Sequence, residues 1–294
     1  MLRLEGLISS PGPGARNEKG KIAEWVQRTD LDFLRERGHT ELMAEQDVLD
    51  VIRQGAKQPG MPRDGGATEA SELLVERARR ESDACLWVLV WGSLTDVAQA
   101  LRDAPDIAPR IRINSIGAAN TRADPQSRQF LYQHLGDQWP ELWWIEDGMF
   151  PGSFKLPPFF GYYYDQDPEG EYGSIGFISR VIRGRGTRSR QRFGEVLGNA
   201  FPTGRQPRLG HMDILKEGDS PTFMFLLSSA IGRVGDLDDP TQESWGGRFY
   251  QPFPNSFANY YTDLDAPPEV YWDEMRKWRP DFLADWEKRW KWYD

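Results

Sequence analysis

The sequence predicts an α/β fold: an open, mostly parallel sheet with helices on both faces, in one domain spanning residues 1–294. Three observations carry this. Leu86–Leu101 (LWVLVWGSLTDVAQAL) reads as a buried strand, a Gly turn and an amphipathic helix. Further apolar runs at Ile111–Ile116 and Leu142–Ile145 alternate with helical patterns, the rhythm of βαβ units. Each run ends in glycine, a hydroxyl, an amide or a carboxylate, as strands do where they feed a site.

Leu4–Ser10 reads as a short strand that stops at the turn formers Ser9-Ser10-Pro11-Gly12-Pro13-Gly14. Ile22, Trp25 and Val26 mark one face of a helix, and Val48, Leu49, Val51 and Ile52 mark another. Gln58–Gly66 is a Pro/Gly loop, after which Thr68 is placed to cap a helix whose apolar stripe is Ala70, Leu73, Leu74 and Ala78. Leu86–Trp91 is continuously apolar, the signature of a strand covered on both faces. Leu94, Val97, Ala98 and Leu101 then take helical spacing. Residues 150–210 break the alternation with a long irregular insertion that holds Pro157-Pro158, the aromatic patch Phe159–Tyr164 and the Arg run Arg180–Arg192. A helix follows Pro221 over Thr222–Leu227, and Tyr271–Trp292 is a Trp-rich helical segment interrupted at Pro280.

Composition narrows the function classes. A formal net charge of -9 argues against duplex nucleic acid, whose phosphates need a basic face. Mean hydropathy is -0.64 and no apolar run approaches a membrane span, so no membrane partner is expected. Met1–Pro11 lacks the basic and long apolar regions of a leader, which leaves localisation open. The single cysteine, Cys85, excludes an internal disulfide and a cysteine zinc site. His39, His134 and His211 have no metal-ligand spacing, and no Gly-x-Ser-x-Gly, P-loop or Gly-x-Gly-x-x-Gly motif is present.

The carboxyl ends of the strands collect Ser9, Ser10, Trp91-Gly92-Ser93, Asn120, Glu146 and Asp147, which are either turn formers or one pocket. Asp219 precedes Ser220-Pro221, so it caps a helix or ligates a hard cation. Glu217 is a solvated neighbour or an acceptor for a substrate hydroxyl. Phe282, Trp286 and Trp290 share one helical face, either for core packing or as a carbohydrate platform.

Together, Leu2–Gly12 (LRLEGLISSPG), Thr68–Leu74, Leu86–Leu101, Leu142–Glu146 (LWWIE), Lys216–Leu227 (KEGDSPTFMFLL), Ser244–Phe249 and Arg276–Trp292 resemble the nucleoside hydrolase superfamily. The similarity is to its branch of nucleoside hydrolase-like, cellulose-binding proteins, and it covers most of the chain outside about 155–200. The resemblance implies Ca²⁺ at the strand ends and hydrolysis of an N-glycosidic or other glycosidic bond in a nucleoside or carbohydrate. It matches the Trp91 carbonyl and Asp219 to metal ligands, and places Asn120, Glu146 and Asp147 near the substrate. It also implies self-association into a homo-oligomer.

Two departures bear on activity. The superfamily's first strand and its aspartate cluster, the source of most calcium ligands and of the base, have no counterpart ahead of Leu4, so the domain reads as truncated at its N-terminus relative to the family. Loss of that strand would open a gap between buried strands. Gly218 stands where many nucleoside hydrolases carry a histidine. No catalytic residue is therefore assigned. The alternative to a calcium-dependent glycosidase is a non-catalytic carbohydrate-binding protein.

Overall fold

The computed structural model describes residues 2–12, 17–82, 84–148, 177–182, 185 and 218–294. Among the described residues seven strands form two sheets. β1 (Leu7–Ser9) and β2 (Ile52–Gln54) pair in parallel, while β3 (Leu86–Val90), β4 (Ile111–Ile116), β5 (Trp143–Asp147), β6 (Phe249–Tyr250) and β7 (Tyr260–Asp263) are ordered β3-β4-β5-β7-β6. Only the β6–β7 pair is antiparallel. The α/β class with a mostly parallel sheet is thus observed.

No ladder joins β1 to β3, and among the described residues each pairs along one edge. Their carboxyl ends still meet, because the Ser93 N–H donates to the Pro11 carbonyl at 2.8 Å. A side chain at Gly92 would lie 2.7 Å from Ser10 Oγ, so only glycine permits this approach.

The α-helices of the described residues are α1 (Lys19–Thr29), α2 (Leu31–Glu36), α3 (Glu45–Leu49), α4 (Glu69–Ala78), α5 (Thr95–Asp103), α6 (Ala119–Ala123), α7 (Pro125–His134), α8 (Ser220–Leu227), α9 (Pro268–Arg276) and α10 (Arg279–Trp290). Thr68 caps α4 as expected: its hydroxyl accepts from the Ser71 N–H at 3.0 Å and Ser71 Oγ accepts from the Thr68 N–H at 2.9 Å, a reciprocal box. The sequence reading placed Val48–Ile52 on one helix. Instead α3 stops at Leu49 and β-branched Ile52 starts β2 against Leu7. Strand pairing outweighs the helical spacing there. The hairpin of β6 and β7 was not anticipated, because both strands are shorter than the runs that carry a legible pattern.

Strand alternation divides the core. On one sheet face Val88, Ile113, Trp144 and Tyr260 pack against α4, α5 and α7 through Leu74, Leu101 and Leu131. On the other, Trp87, Leu89, Trp143 and Ile145 meet Phe225 and Leu226 of α8. Leu101, Ile113 and Leu131 are completely buried, so truncating any of them to alanine costs about 2–5 kcal/mol. A third cluster joins Trp245, Met275, Phe282, Leu283 and Trp290, with Trp286 packed against it. The C-terminal aromatics therefore form core and not a platform. Pro280 falls within the first turn of α10, where its missing N–H costs nothing. No helix among the described residues is long and apolar enough to cross a membrane.

Candidate functional site

The carboxyl ends of β3 and β4 converge on Trp91. Its carbonyl accepts from Asn120 Nδ2 at 3.2 Å, and the same amide group donates to the Ile116 carbonyl at 3.0 Å. The Trp91 indole N–H donates to Thr222 Oγ1 at 2.7 Å, and Thr222 in turn donates to the Asp219 carbonyl at 3.1 Å. Thr222 is buried at the start of α8, whereas Asp219 is exposed at its N-cap position and makes no capping bond through its side chain. Three of the sequence-derived residues, Trp91, Asn120 and Asp219, are thereby linked in one hydrogen-bonded chain. Thr222, the link between them, was missed because a threonine in a helical first turn carries no signal of its own.

The turn that delivers Asn120 is strained. Ala118 has φ +52°, a region that L residues rarely occupy. Such a conformation costs about 1–3 kcal/mol and persists only where the surroundings impose it. Ser10 lies beside this edge, against Gly92, whereas the Ser9 hydroxyl donates to Asn17 Oδ1 at 3.4 Å.

Glu146 and Asp147 go elsewhere, to opposite faces of β5. Glu146 is fully buried beneath α7, where Arg128 grips it with Nε at 3.0 Å and Nη2 at 2.8 Å and Tyr260 Oη donates at 2.7 Å. Burial alone would pull the Arg128 guanidinium down, but the bonds and charge of Glu146 outweigh it and hold Arg128 above its ordinary value. Burial, then the Glu146 charge, raises the Tyr260 phenol well above its usual range.

Asp147 is also fully buried, and neither of its oxygens has a hydrogen-bond donor among the described residues. The adjacent Asp263 accepts the Gly148 N–H through Oδ1 at 2.8 Å and Oδ2 at 3.0 Å. Burial, reinforced by the Asp263 charge, raises the Asp147 carboxyl well above the carboxylate range. Tyr271 nearby is pushed up to about 12, by burial first and then by Asp263, Glu269 and Asp147. Arg128, Tyr260 and Asp263 were all missed by sequence reasoning; their partners lie far off in the chain.

A further acid, Asp96, is also buried. Asp96, in the first turn of α5, accepts the Ala56 N–H at 2.9 Å and the Thr68 hydroxyl at 2.7 Å, tying the end of β2 to α4. Burial raises its carboxyl, those two bonds oppose the rise, and Asp124 adds to it.

Glu217, His211 and the aromatic patch Phe159–Tyr164 lie outside the described residues. For calcium, the described donors are few. The Trp91 carbonyl is already bonded to Asn120 and the Asp219 carbonyl to Thr222. Among the described residues no group of three or more His, Cys, Asp or Glu side chains is arranged to hold a metal ion. Calcium takes about six to eight oxygens, so these residues alone do not fit it.

The structure is thus an open α/β sheet of the doubly wound kind, with side chains gathered at the carboxyl ends of β3 and β4. Residues 1–249 match the family described as "Cellulose-binding Sde182, nucleoside hydrolase-like domain", and the chain belongs to that family. Among solved structures it is similar to a nucleoside hydrolase-related hypothetical protein from Saccharophagus degradans that is associated with carbohydrate metabolism. The TM-score is 0.66 at 15% identity, covering 98% of this chain and 64% of that one, so the likeness is one of fold. No curated protein sequence matches the chain.

Proposed function

We propose that this chain binds carbohydrate at the carboxyl edge of β3 and β4, on a nucleoside hydrolase-like fold. The observation that carries the reading is the convergence of Trp91, Asn120 and the start of α8 at that edge. The cellulose-binding description of the family and the carbohydrate association of the fold neighbour support the ligand class. Co-sedimentation of the purified chain with microcrystalline cellulose tests it. Retention above an inert-matrix control that is released by soluble cello-oligosaccharide is the expected result; recovery of all protein in the supernatant refutes the reading.

A second reading is hydrolysis of an N-glycosidic or other glycosidic bond with a calcium-activated water. It is supported by the nucleoside hydrolase-like description of the family and by the exposed Asp219 side chain at the start of α8. A bound calcium would supply a Lewis acid that lowers the pKa of water. No hydrolytic step is assigned to this chain's residues, because Glu146 is committed to Arg128 and Asp147 to Asp263. Calorimetric titration with CaCl₂ decides the metal question. Uptake that disappears in Asp219→Ala supports the glycosidase; no uptake, or uptake indifferent to that change, removes it.

A further inference from the structure

We propose that the exposed indole face of Trp91 is the stacking platform for a hexopyranose ring of a β-linked glucan. Asn120 and Thr222 act as positioning residues. The inference rests on the carbohydrate reading above and assigns the contact within it.

Trp91 is 49% exposed, more open than Trp25, the other exposed tryptophan, at 37%. It belongs to none of the hydrophobic clusters of the described residues. Yet it is not a loose surface side chain. Asn120 holds its carbonyl and Thr222 holds its indole N–H, so backbone and ring are both fixed. Its N–H donor is engaged, so what the exposed half of Trp91 offers a ligand is apolar ring surface.

A large apolar surface left in water at a strand-end site, held rigid in advance, loses little entropy on binding. A β-linked hexopyranose suits it: equatorial hydroxyls leave a flat patch of C–H groups on the ring face, which covers the indole, while the hydroxyls project around the rim. The Asn120 amide makes two hydrogen bonds, both donated through Nδ2, and its Oδ1 carries no hydrogen bond among the described residues. That oxygen is an acceptor at the rim for one such hydroxyl. The strained Ala118 just upstream shows that the backbone departs from its preferred conformation where Asn120 is delivered.

The test is titration of the full chain with cellohexaose and, separately, inosine, for wild type and for Trp91→Ala, Trp91→Phe and the control Trp25→Ala. Cellohexaose affinity should fall at least ~10-fold in Trp91→Ala. It should stay within roughly threefold in Trp91→Phe, which keeps an aromatic face, and be unchanged in Trp25→Ala. Thr222→Val should weaken binding and Thr222→Ser restore it, a rescue that a general packing defect would not show. Hydroxyl-radical footprinting of the wild-type chain supplies a readout independent of any variant's folding: cellohexaose should protect Trp91. Full affinity in a folded Trp91→Ala, or footprinting at Trp91 unaffected by cellohexaose, overturns the platform while the carbohydrate reading stands. A wild-type chain that ignores cellulose and cellohexaose alike overturns both. Binding of inosine alone assigns the ring to a nucleobase and overturns the proposal as well.

Discussion

Replacing Glu146 by glutamine tests whether this residue is structural or contacts a ligand. The carboxylate accepts from Arg128 Nε at 3.0 Å, from Arg128 Nη2 at 2.8 Å and from Tyr260 Oη at 2.7 Å, and it is fully buried. In Glu146→Gln the Arg128 charge keeps its mostly buried position but loses its counter-ion, and the new amide turns a donor toward the guanidinium. Removing one partner of a buried pair costs about 3–5 kcal/mol. Arg128→Met should cost a similar amount, because Glu146 would keep only Tyr260 as a donor. The double variant should be less destabilised than the two single costs summed, with a coupling of about 0.5–3 kcal/mol. Urea unfolding followed by far-ultraviolet circular dichroism measures all three, and cellohexaose titration of the folded proteins runs alongside. The reasoning is refuted if Glu146→Gln leaves the unfolding midpoint unchanged while abolishing ligand binding, since Glu146 would then face the ligand.

Other outcomes follow from the same geometry. Burial and the Asp263 charge raise the Asp147 carboxyl, so the native chain keeps a proton that the unfolded chain releases above about pH 4. Stability should therefore decline as pH rises from there toward the raised native value. Asp147→Asn should remove that slope and add about 1–3 kcal/mol at pH 8 by offering Asp263 a donor; an unaltered slope in urea midpoints measured from pH 4 to 8 would sink the assignment. Thr68→Ala removes the cap of α4 and a bond to Asp96, and should lower stability by at least ~1 kcal/mol in the same assay. A methyl group at Gly246 would stand 2.3 Å from the Pro221 carbonyl and 2.7 Å from the Phe225 N–H group. Gly246→Ala should accordingly cost about 1–3 kcal/mol and shift the thermal midpoint down.

What was legible in the sequence was what depends on neighbours in the chain. Leu86–Leu101 declared itself because an apolar β run, a Gly turn and a helical stripe follow one another within a single unit. Thr68 announced the start of α4 for the same reason. The alternation of strand and helix carried the class of fold. Val51 and Ile52 misled because their spacing continues the pattern of Val48 and Leu49, and only pairing with Leu7 turns that segment into a strand. The Arg128–Glu146 and Asp147–Asp263 pairs had no local trace, since they are created when α7 and β7 fold onto β5. One clue was available. Along a strand, faces alternate, so Glu146 had to share the buried face of Trp144 and Asp147 the opposite one, and the two could not converge on one pocket.

That alternation also decides where a ligand can be served. At the end of β5 the acids are spent on neighbouring elements: Glu146 neutralises Arg128 beneath α7, and Asp147 rests against Asp263 of β7. Turning either toward a sugar would strand Arg128 without its counter-ion or leave the Asp263 side without its partner acid, a loss that a few hydrogen bonds to hydroxyls would not offset. The ends of β3 and β4 carry no such debt. Trp91 and Asn120 are held there by neutral hydrogen bonds, with an indole face and an amide oxygen left over. A surface of that kind matches the ring face and hydroxyls of a carbohydrate. Holding a sugar at this edge therefore breaks no buried ion pair among the described residues.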